Sequence, residues 1–212
     1  MATSPLAGRA LKLQILLATS NVHKLQEVRE ILEPMGFHVD GLETLRKSIE
    51  EPVEDADTFA GNARLKALAY AKATGKRCMA DDSGLSVDVL GGKPGVYSAR
   101  FAGVGTTREE RDSANNALLL SKLQHTSESE RSARFVCAMC VADPDGTVVG
   151  ESEGTFEGVI TLEPRGTNGF GYDPLLYVQD AQKTSAEMTS DEKNARSHRG
   201  EAVRNIIFCF GQ

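Results

Sequence analysis

The chain has no tryptophan, and Phe, Tyr and Trp together make up only 6% of its 212 residues. A stacking platform for a flat ligand must therefore come from one of a few phenylalanines or tyrosines. Cysteine is also sparse: Cys78, Cys137, Cys140 and Cys209. Cys137 and Cys140 form a C-x-x-C inside a strand-like pattern, where an odd offset sends the two sulfurs to opposite faces. No second pair stands at zinc spacing, so packing is the expected role, because a buried free cysteine behaves as a small hydrophobe. No run approaches the ~18 apolar residues of a membrane span. Met1 to Leu11 has no apolar core of signal-peptide length, and the expected location is cytoplasmic. No block of like charge occurs, and the formal net charge is -6. That argues against a duplex nucleic-acid binder, which needs a positive face. It leaves room for a nucleotide, whose phosphates need only a few local cations. With no repeat or linker, the expectation is one domain over residues 12–212 behind an extension over 1–11.

What is present is a succession of short elements. Lys12 to Ala18 reads as a buried strand. Thr19-Ser20-Asn21 are helix-capping residues, and a helix follows over Asn21 to Met35 with a stripe of Leu25, Val28, Ile31 and Leu32. A helix N-terminus presents free N–H groups to an anion, and Lys24 adds a full charge. Thr19, Ser20, Asn21 and Lys24 are thus a candidate phosphate grip, against the plainer reading of a capped helix with an exposed lysine. Phe37 to Leu42 reads as an edge strand. Glu50, Glu51, Glu54, Asp55 and Asp57 fall within eight residues of an irregular stretch, the densest supply of carboxylates for a metal. Thr58 to Thr74 is a clear helix on which Asn62 and Lys66 share a face, turned either to solvent or to a cleft.

Ala80-Asp-Asp-Ser-Gly-Leu85 follows an apolar strand. Carboxylate and hydroxyl oxygens suit a hard cation such as Mg²⁺. Consecutive strand residues face opposite ways, so the two acids are expected to converge by the strand ending there and bending at Gly84. The alternative is a polar turn. Gly91 to Gly103 reads as a long structured loop, with Arg100 expected as a structural contact rather than a phosphate ligand. Thr107 to Leu123 reads as an amphipathic helix, and Arg134 to Asp143 with Thr147 to Ile160 as a hairpin turning on Asp143-Pro-Asp-Gly146. The wet face of that hairpin is compatible with a subunit interface. In Gly169-Phe-Gly-Tyr-Asp-Pro174, Phe170 is free to stack on a heterocycle or tucks into the core. Asp191 to Arg196 is a short helix carrying Lys193. His198-Arg199 open the last helix, Gly200 to Phe210, as a reader of an anion or a carbonyl oxygen.

In order and at matching separations from about Leu13 to Phe210, these motifs resemble the inosine triphosphate pyrophosphatase family. The blocks are Ala18-Thr-Ser-Asn-Val-His-Lys24, Glu54 to Ala67, Ala80 to Leu85 with Pro94 to Phe101, Gly169 to Pro174, and Glu192-Lys193 with Ser197 to Gly200. The resemblance implies an α/β fold: an elongated central mixed β-sheet flanked by helices, with two lobes and the cleft between them. It implies Mg²⁺-dependent hydrolysis of ITP, dITP, XTP and dXTP to the monophosphate and pyrophosphate, by a homodimer. Thr19, Ser20, Asn21 and Lys24 would hold the triphosphate, with Lys66. Asp82 and Glu54 would bind Mg²⁺, and Asp82 would serve as base. Asp81 would support that site and Ser83 would contact substrate. Phe170 would stack on the purine beside Gly171, Tyr172 and Asp173. Lys193, His198 and Arg199 would favour a 6-keto group. The chain has Val53-Glu-Asp-Ala56 where family members often have paired glutamates and a glycine, so Glu51 and Asp55 stand as alternatives to Glu54. Two other functions fit the residues less closely: a related pyrophosphatase acting on modified pyrimidine or standard nucleotides, and a nucleotide sensor without turnover.

Overall fold

The computed structural model describes residues 14–210. The expected extension, and Lys12 and Leu13 of the expected first strand, lie outside the described residues. Among the described residues, seven strands form one sheet in the order β2-β1-β3-β4-β5-β6-β7. They are β1 (Gln14–Leu17), β2 (His38–Asp40), β3 (Cys78–Val87), β4 (Ser132–Ala142), β5 (Val148–Ile160), β6 (Leu176–Val178) and β7 (Lys183–Thr184). β2, β1 and β3 run parallel, while β3 through β7 pair antiparallel. The helices are α1 (Val22–Leu32), α2 (Phe59–Thr74), α3 (Arg108–Lys122), α4 (Ser190–Arg196) and α5 (His198–Ile206). The result is the mixed, helix-flanked α/β sheet that was expected. No helix among the described residues is long and apolar enough to cross a membrane.

Period-2 alternation sorts the core. Ile15, Leu17, Met79, Cys137 and Met139 face one side of the sheet, where Val28 and Leu32 of α1 and Val203 and Ile206 of α5 meet them. Leu16, Cys78, Ala80 and Cys140 face the other side, against Ala63, Ala67 and Tyr70 of α2. The two C-x-x-C sulfurs therefore do part to opposite faces. Burial pushes both thiols up to about 12, which leaves them neutral. A third cluster fills the far end with Leu85, Val87, Leu119 of α3, Phe135, Phe156 and Leu176. β3 and β4 run through all three.

Several boundaries move. α1 stops at Leu32, because Pro34 has no N–H to continue the ladder; a tight turn over Glu33–Met35 ends at Gly36 with φ +92°. The last helix begins at His198, under a Ser197 cap that accepts the Gly200 N–H, and tightens after Ile206. The Asp143–Gly146 hairpin turn closes as expected, with Asp143 N–H donating to Thr147 O at 2.8 Å.

One expectation is overturned. β3 does not end at Asp81-Asp82; it continues to Val87, paired residue for residue with β4 from Cys78↔Ala142 to Val87↔Ala133. Ten pairings to a long central neighbour outweigh the local turn preference of Asp, Ser and Gly, since strand propensity yields to tertiary context. Gly84 is not a bend either. A Cβ there would lie 2.3 Å from Ser98 Oγ and 2.8 Å from Gly95 O. The glycine lets the Gly95–Arg100 segment lie against β3, where Ser98 Oγ accepts the Leu85 N–H at 2.8 Å.

Candidate active site

β1 reaches only Cys78 and Met79 of β3, with a last bond from Ala18 N–H to Met79 O. Beyond it, the β3 edge has no neighbouring strand among the described residues. Asp81 and Asp82 flank that edge, one on each face, so they never needed to converge. Asp81 takes the α1/α5 face and Asp82 the α2 face.

On the first face, Asn21 caps α1 by accepting from His23 N–H at 3.0 Å and Lys24 N–H at 3.4 Å, while Thr19 Oγ1 accepts the Asn21 N–H at 3.2 Å. The ordered first turn sets Lys24 Nζ 2.9 Å from Asp81 Oδ2. Arg199 Nη2 lies 3.4 Å from the same oxygen and donates to Ser83 Oγ at 2.8 Å. Burial alone would raise the Asp81 pKa, but the Lys24 and Arg199 charges overcome it and hold Asp81 ionised well below the usual range.

On the second face, Asp82 Oδ2 accepts from Asn62 Nδ2 at 3.1 Å, and Asp82 Oδ1 stands 3.5 Å from Lys66 Nζ. Asn62 and Lys66 thus turn to the cleft rather than to solvent. Lys66 Nζ is also 3.1 Å from Glu54 Oε1. Of the three acids left open, Glu54 shares a cation with Asp82. Glu51 sits higher in the cleft, accepting from Ser20 Oγ at 3.3 Å. Asp55 is exposed. Burial raises Asp82 above the ordinary carboxyl value, and the Lys66 and Lys24 charges only partly offset it. Burial would lower Lys66, but Asp82, Asp81 and Glu54 raise it. Two carboxylates on one shared cation, with excess negative charge, are a donor set that fits a hard divalent ion.

At the other end, Phe170 is half-buried. His23 is stacked on it with centroids 5.2 Å apart, and the guanidinium carbon of Arg108 lies 4.9 Å from its centroid. Asp173 fixes this loop: Oδ2 accepts from Phe170 N–H at 2.8 Å and Lys193 Nζ at 2.7 Å, and Oδ1 accepts from Ser185 Oγ at 2.8 Å. Both its oxygens are engaged, so it holds the loop in place. Tyr172 packs its ring in the third cluster and donates to Ser98 O at 2.9 Å. His198 is 5% exposed and stacked on Phe135, with Nδ1 unpartnered among the described residues. Burial, then Arg199 and Lys193, push its pKa well below the ordinary value, so it is neutral.

Every expected substrate or metal residue lines one cleft of about 270 Å³, from Thr19 and Lys24 through Glu54, Lys66 and Asp82 to Phe170 and Arg199; Asp81 lies just behind, screened by its two cations. Sequence reading missed Glu27. Its carboxylate takes Lys193 Nζ at 2.7 Å and also pairs with Arg199, tying both cations to α1. It follows Gln26 on a helix that reads as amphipathic, and it leaves solvent only because α4 and α5 dock there. Also missed were Asp112, which accepts the Gly171 N–H at 2.9 Å, and Asn116, which donates to Gly171 O at 3.0 Å. Arg100, expected as a structural contact, does pack on Tyr97 but also borders the cleft.

With this geometry in view, the likenesses to known proteins are informative. The Ham1 family model matches residues 15–208. A Bacillus licheniformis protein named dITP/XTP pyrophosphatase is 48% identical over 199 residues, covering 94% of this chain and 98% of that relative. A Thermus thermophilus protein of the same name is 47% identical over 198 residues, covering 93% and 92%. Among solved structures, a HAM1 protein from Coxiella burnetii superposes with TM-score 0.78 at 40% identity, covering 92% of this chain and 96% of that one. The Staphylococcus aureus Ham1 protein gives TM-score 0.77 at 39% identity, covering 91% and 95%. The match extends from β1 to the last turn and takes in all the elements that build the cleft, and the chain belongs to the Ham1 family.

Proposed function

We propose that the protein hydrolyses non-standard purine nucleoside triphosphates (ITP, dITP, XTP and dXTP) to the nucleoside monophosphate and pyrophosphate, with Mg²⁺. The observation that carries this reading is a single cleft with an aromatic platform and hydrogen-bond donors at one end and a capped helix, two lysines and two carboxylates at the other. The relatives' names specify dITP and XTP, two of these substrates.

Thr19, Ser20, Asn21 and the first turn of α1 would receive the phosphates, and Phe170 would stack on the purine. Lys193, His198 and Arg199 would meet its six-position. Lys193 has three N–H donors, two of them used by Glu27 and Asp173. Arg199 Nε is buried without a partner among the described residues. Such a site offers Lys193 and Arg199 N–H donors to a 6-keto oxygen, while the carboxylates beside them, Glu27 and Asp173, are already engaged by those cations.

For the chemistry, Asp82 would take the proton from the attacking water as the α–β anhydride bond breaks. Lys24 and Lys66 would stabilise charge developing on the phosphoryl oxygens. Asp82 and Glu54 would hold the Mg²⁺, whose contribution when bound is positive charge on the phosphates and a more acidic water. Among the described residues no cluster of three or more His, Cys, Asp or Glu side chains is disposed to hold a metal. Two protein carboxylates completed by water and substrate phosphate is the usual arrangement for Mg²⁺.

Product analysis tests the reading. Incubation with ITP and Mg²⁺ should release IMP and pyrophosphate in equal amounts. Orthophosphate with IDP would make the protein a phosphatase, and no release would leave a nucleotide sensor.

A further inference from the structure

The near wall of the cleft is short of positive charge. Its four cations, Lys24, Lys66, Lys193 and Arg199, face five carboxylates, Asp81, Asp82, Glu54, Glu27 and Asp173, at ion-pair distance. A triphosphate is a polyanion, and a site whose cations are all engaged offers it little net attraction. The opposite wall, made by the Gly95–Arg100 segment and the first turns of α3, carries Arg100, Arg108 and Arg111.

These arginines stand at different ends. Arg108 lies over Phe170, at the base end. Arg100 borders both the cleft and an outer hollow that also takes in Asp57, three residues beyond Glu54. That places Arg100 toward the acidic-loop side of the cleft, which Lys66 and Asp82 also line. Among the described residues it has no carboxylate within ion-pair distance; its guanidinium rests on Tyr97, 5.1 Å from the ring centroid. Ser98, two residues earlier, anchors the segment to β3 through the Leu85 N–H and to α3 through Asn115 Nδ2, 3.2 Å from Ser98 O. The arginine therefore hangs from an anchored backbone on an exposed side chain whose recorded partner is the Tyr97 ring. A guanidinium fork suits bidentate contact with phosphate oxygens.

We propose that Arg100 is a phosphate ligand supplied by the far wall, leaving Tyr97 to grip the triphosphate end of the substrate. The proposal rests on the nucleotide reading above and adds a residue to it. The experiment compares two probes by calorimetry with Mg²⁺ present: α,β-imido-ITP, which resists cleavage, and IMP, which lacks the outer phosphates. Arg100→Ala should weaken α,β-imido-ITP binding by about tenfold or more and leave IMP within twofold of wild type. Arg100→Lys, keeping the charge without the fork, should fall between. Both probes within twofold of wild type, or both weakened equally, would overturn the assignment. The residue is exposed, so melting temperatures should match. Wild-type protein that binds α,β-imido-ITP but fails to release pyrophosphate from ITP would sink the hydrolase reading while the two probes still score Arg100.

Discussion

Asp82→Asn should lower kcat for ITP by about 10³-fold or more while the protein stays folded. General base catalysis alone contributes about 10²–10⁴-fold, and the same substitution removes a carboxylate from the candidate metal site. Geometry is preserved, because an asparagine amide can turn its oxygen to Asn62 Nδ2, and Lys66 keeps Glu54 as a partner. The stability effect has a definite sign. Burial raises the Asp82 pKa in the folded protein above its ordinary value of 3.8. The folded chain then binds that proton more tightly than the unfolded chain. The ionised carboxylate therefore costs stability, increasingly as pH rises from 3.8 through the folded value. Asparagine removes the cost, so metal-free Asp82→Asn should melt at or above the wild-type temperature at neutral pH. A kcat within tenfold of wild type would remove Asp82 from the chemistry; a lower melting temperature would show that its charge is already well compensated.

The second large effect falls on Glu27→Ala. Lys193 and Arg199 are 7% and 1% exposed, and Glu27 at 13% pairs with both. Removing one partner of a buried ion pair costs about 3–5 kcal/mol, because it strands the other charge. Here two cations lose a partner, though Asp173 and Asp81 still hold one each. The melting temperature should fall by about 6–20 °C, given 2–4 °C per kcal/mol at this chain length. Base recognition should suffer too, since Glu27 orients Lys193 and Arg199, two of the three side chains proposed to meet the six-position. Burial alone would raise the Glu27 pKa, but Arg199 and Lys193 lower it. Its contribution is therefore present above the ordinary value of 4.5 and lost as pH falls through the lower folded value. Glu27→Gln lacks that contribution throughout, so its melting-temperature gap from wild type should narrow on acidification below 4.5. A gap that is constant with pH, or a Glu27→Ala protein melting within 2 °C of wild type, would mean the pair is worth far less than its burial suggests.

What could be read from the sequence follows the range of the interactions involved. The Asn21 cap, the α1 and α2 stripes, the Asp143–Gly146 turn and the opposite-facing cysteines are set by neighbours within a few residues. Their elements were found where the pattern put them, with ends shifted by a turn or less. The course of β3 was misread because Asp81-Asp82-Ser83-Gly84 has the local chemistry of a turn, while its conformation is fixed by β4, about fifty residues away. Glu27 was missed for the same reason: nothing near it in the chain announces the docking of α5. The site motifs were legible as a set only through their order and separations; individually, Lys24 was an ordinary capped-helix lysine and Phe170 an ordinary turn aromatic. The geometry also changes what some of them do. Asp173 and Tyr172 hold the Gly169–Pro174 loop, and Asp81 anchors Lys24 and Arg199 from behind the cleft.

The central claim is that buried donors at Lys193, His198 and Arg199 select a 6-keto purine. Each donor left facing an amino group costs about 1–3 kcal/mol, and two of them amount to a discrimination of about 100-fold or more. The direct measurement is kcat/KM for ITP and for ATP under the same Mg²⁺ concentration, following pyrophosphate. The account predicts a ratio of about 100 or higher in favour of ITP; equal values for the two nucleotides would contradict it.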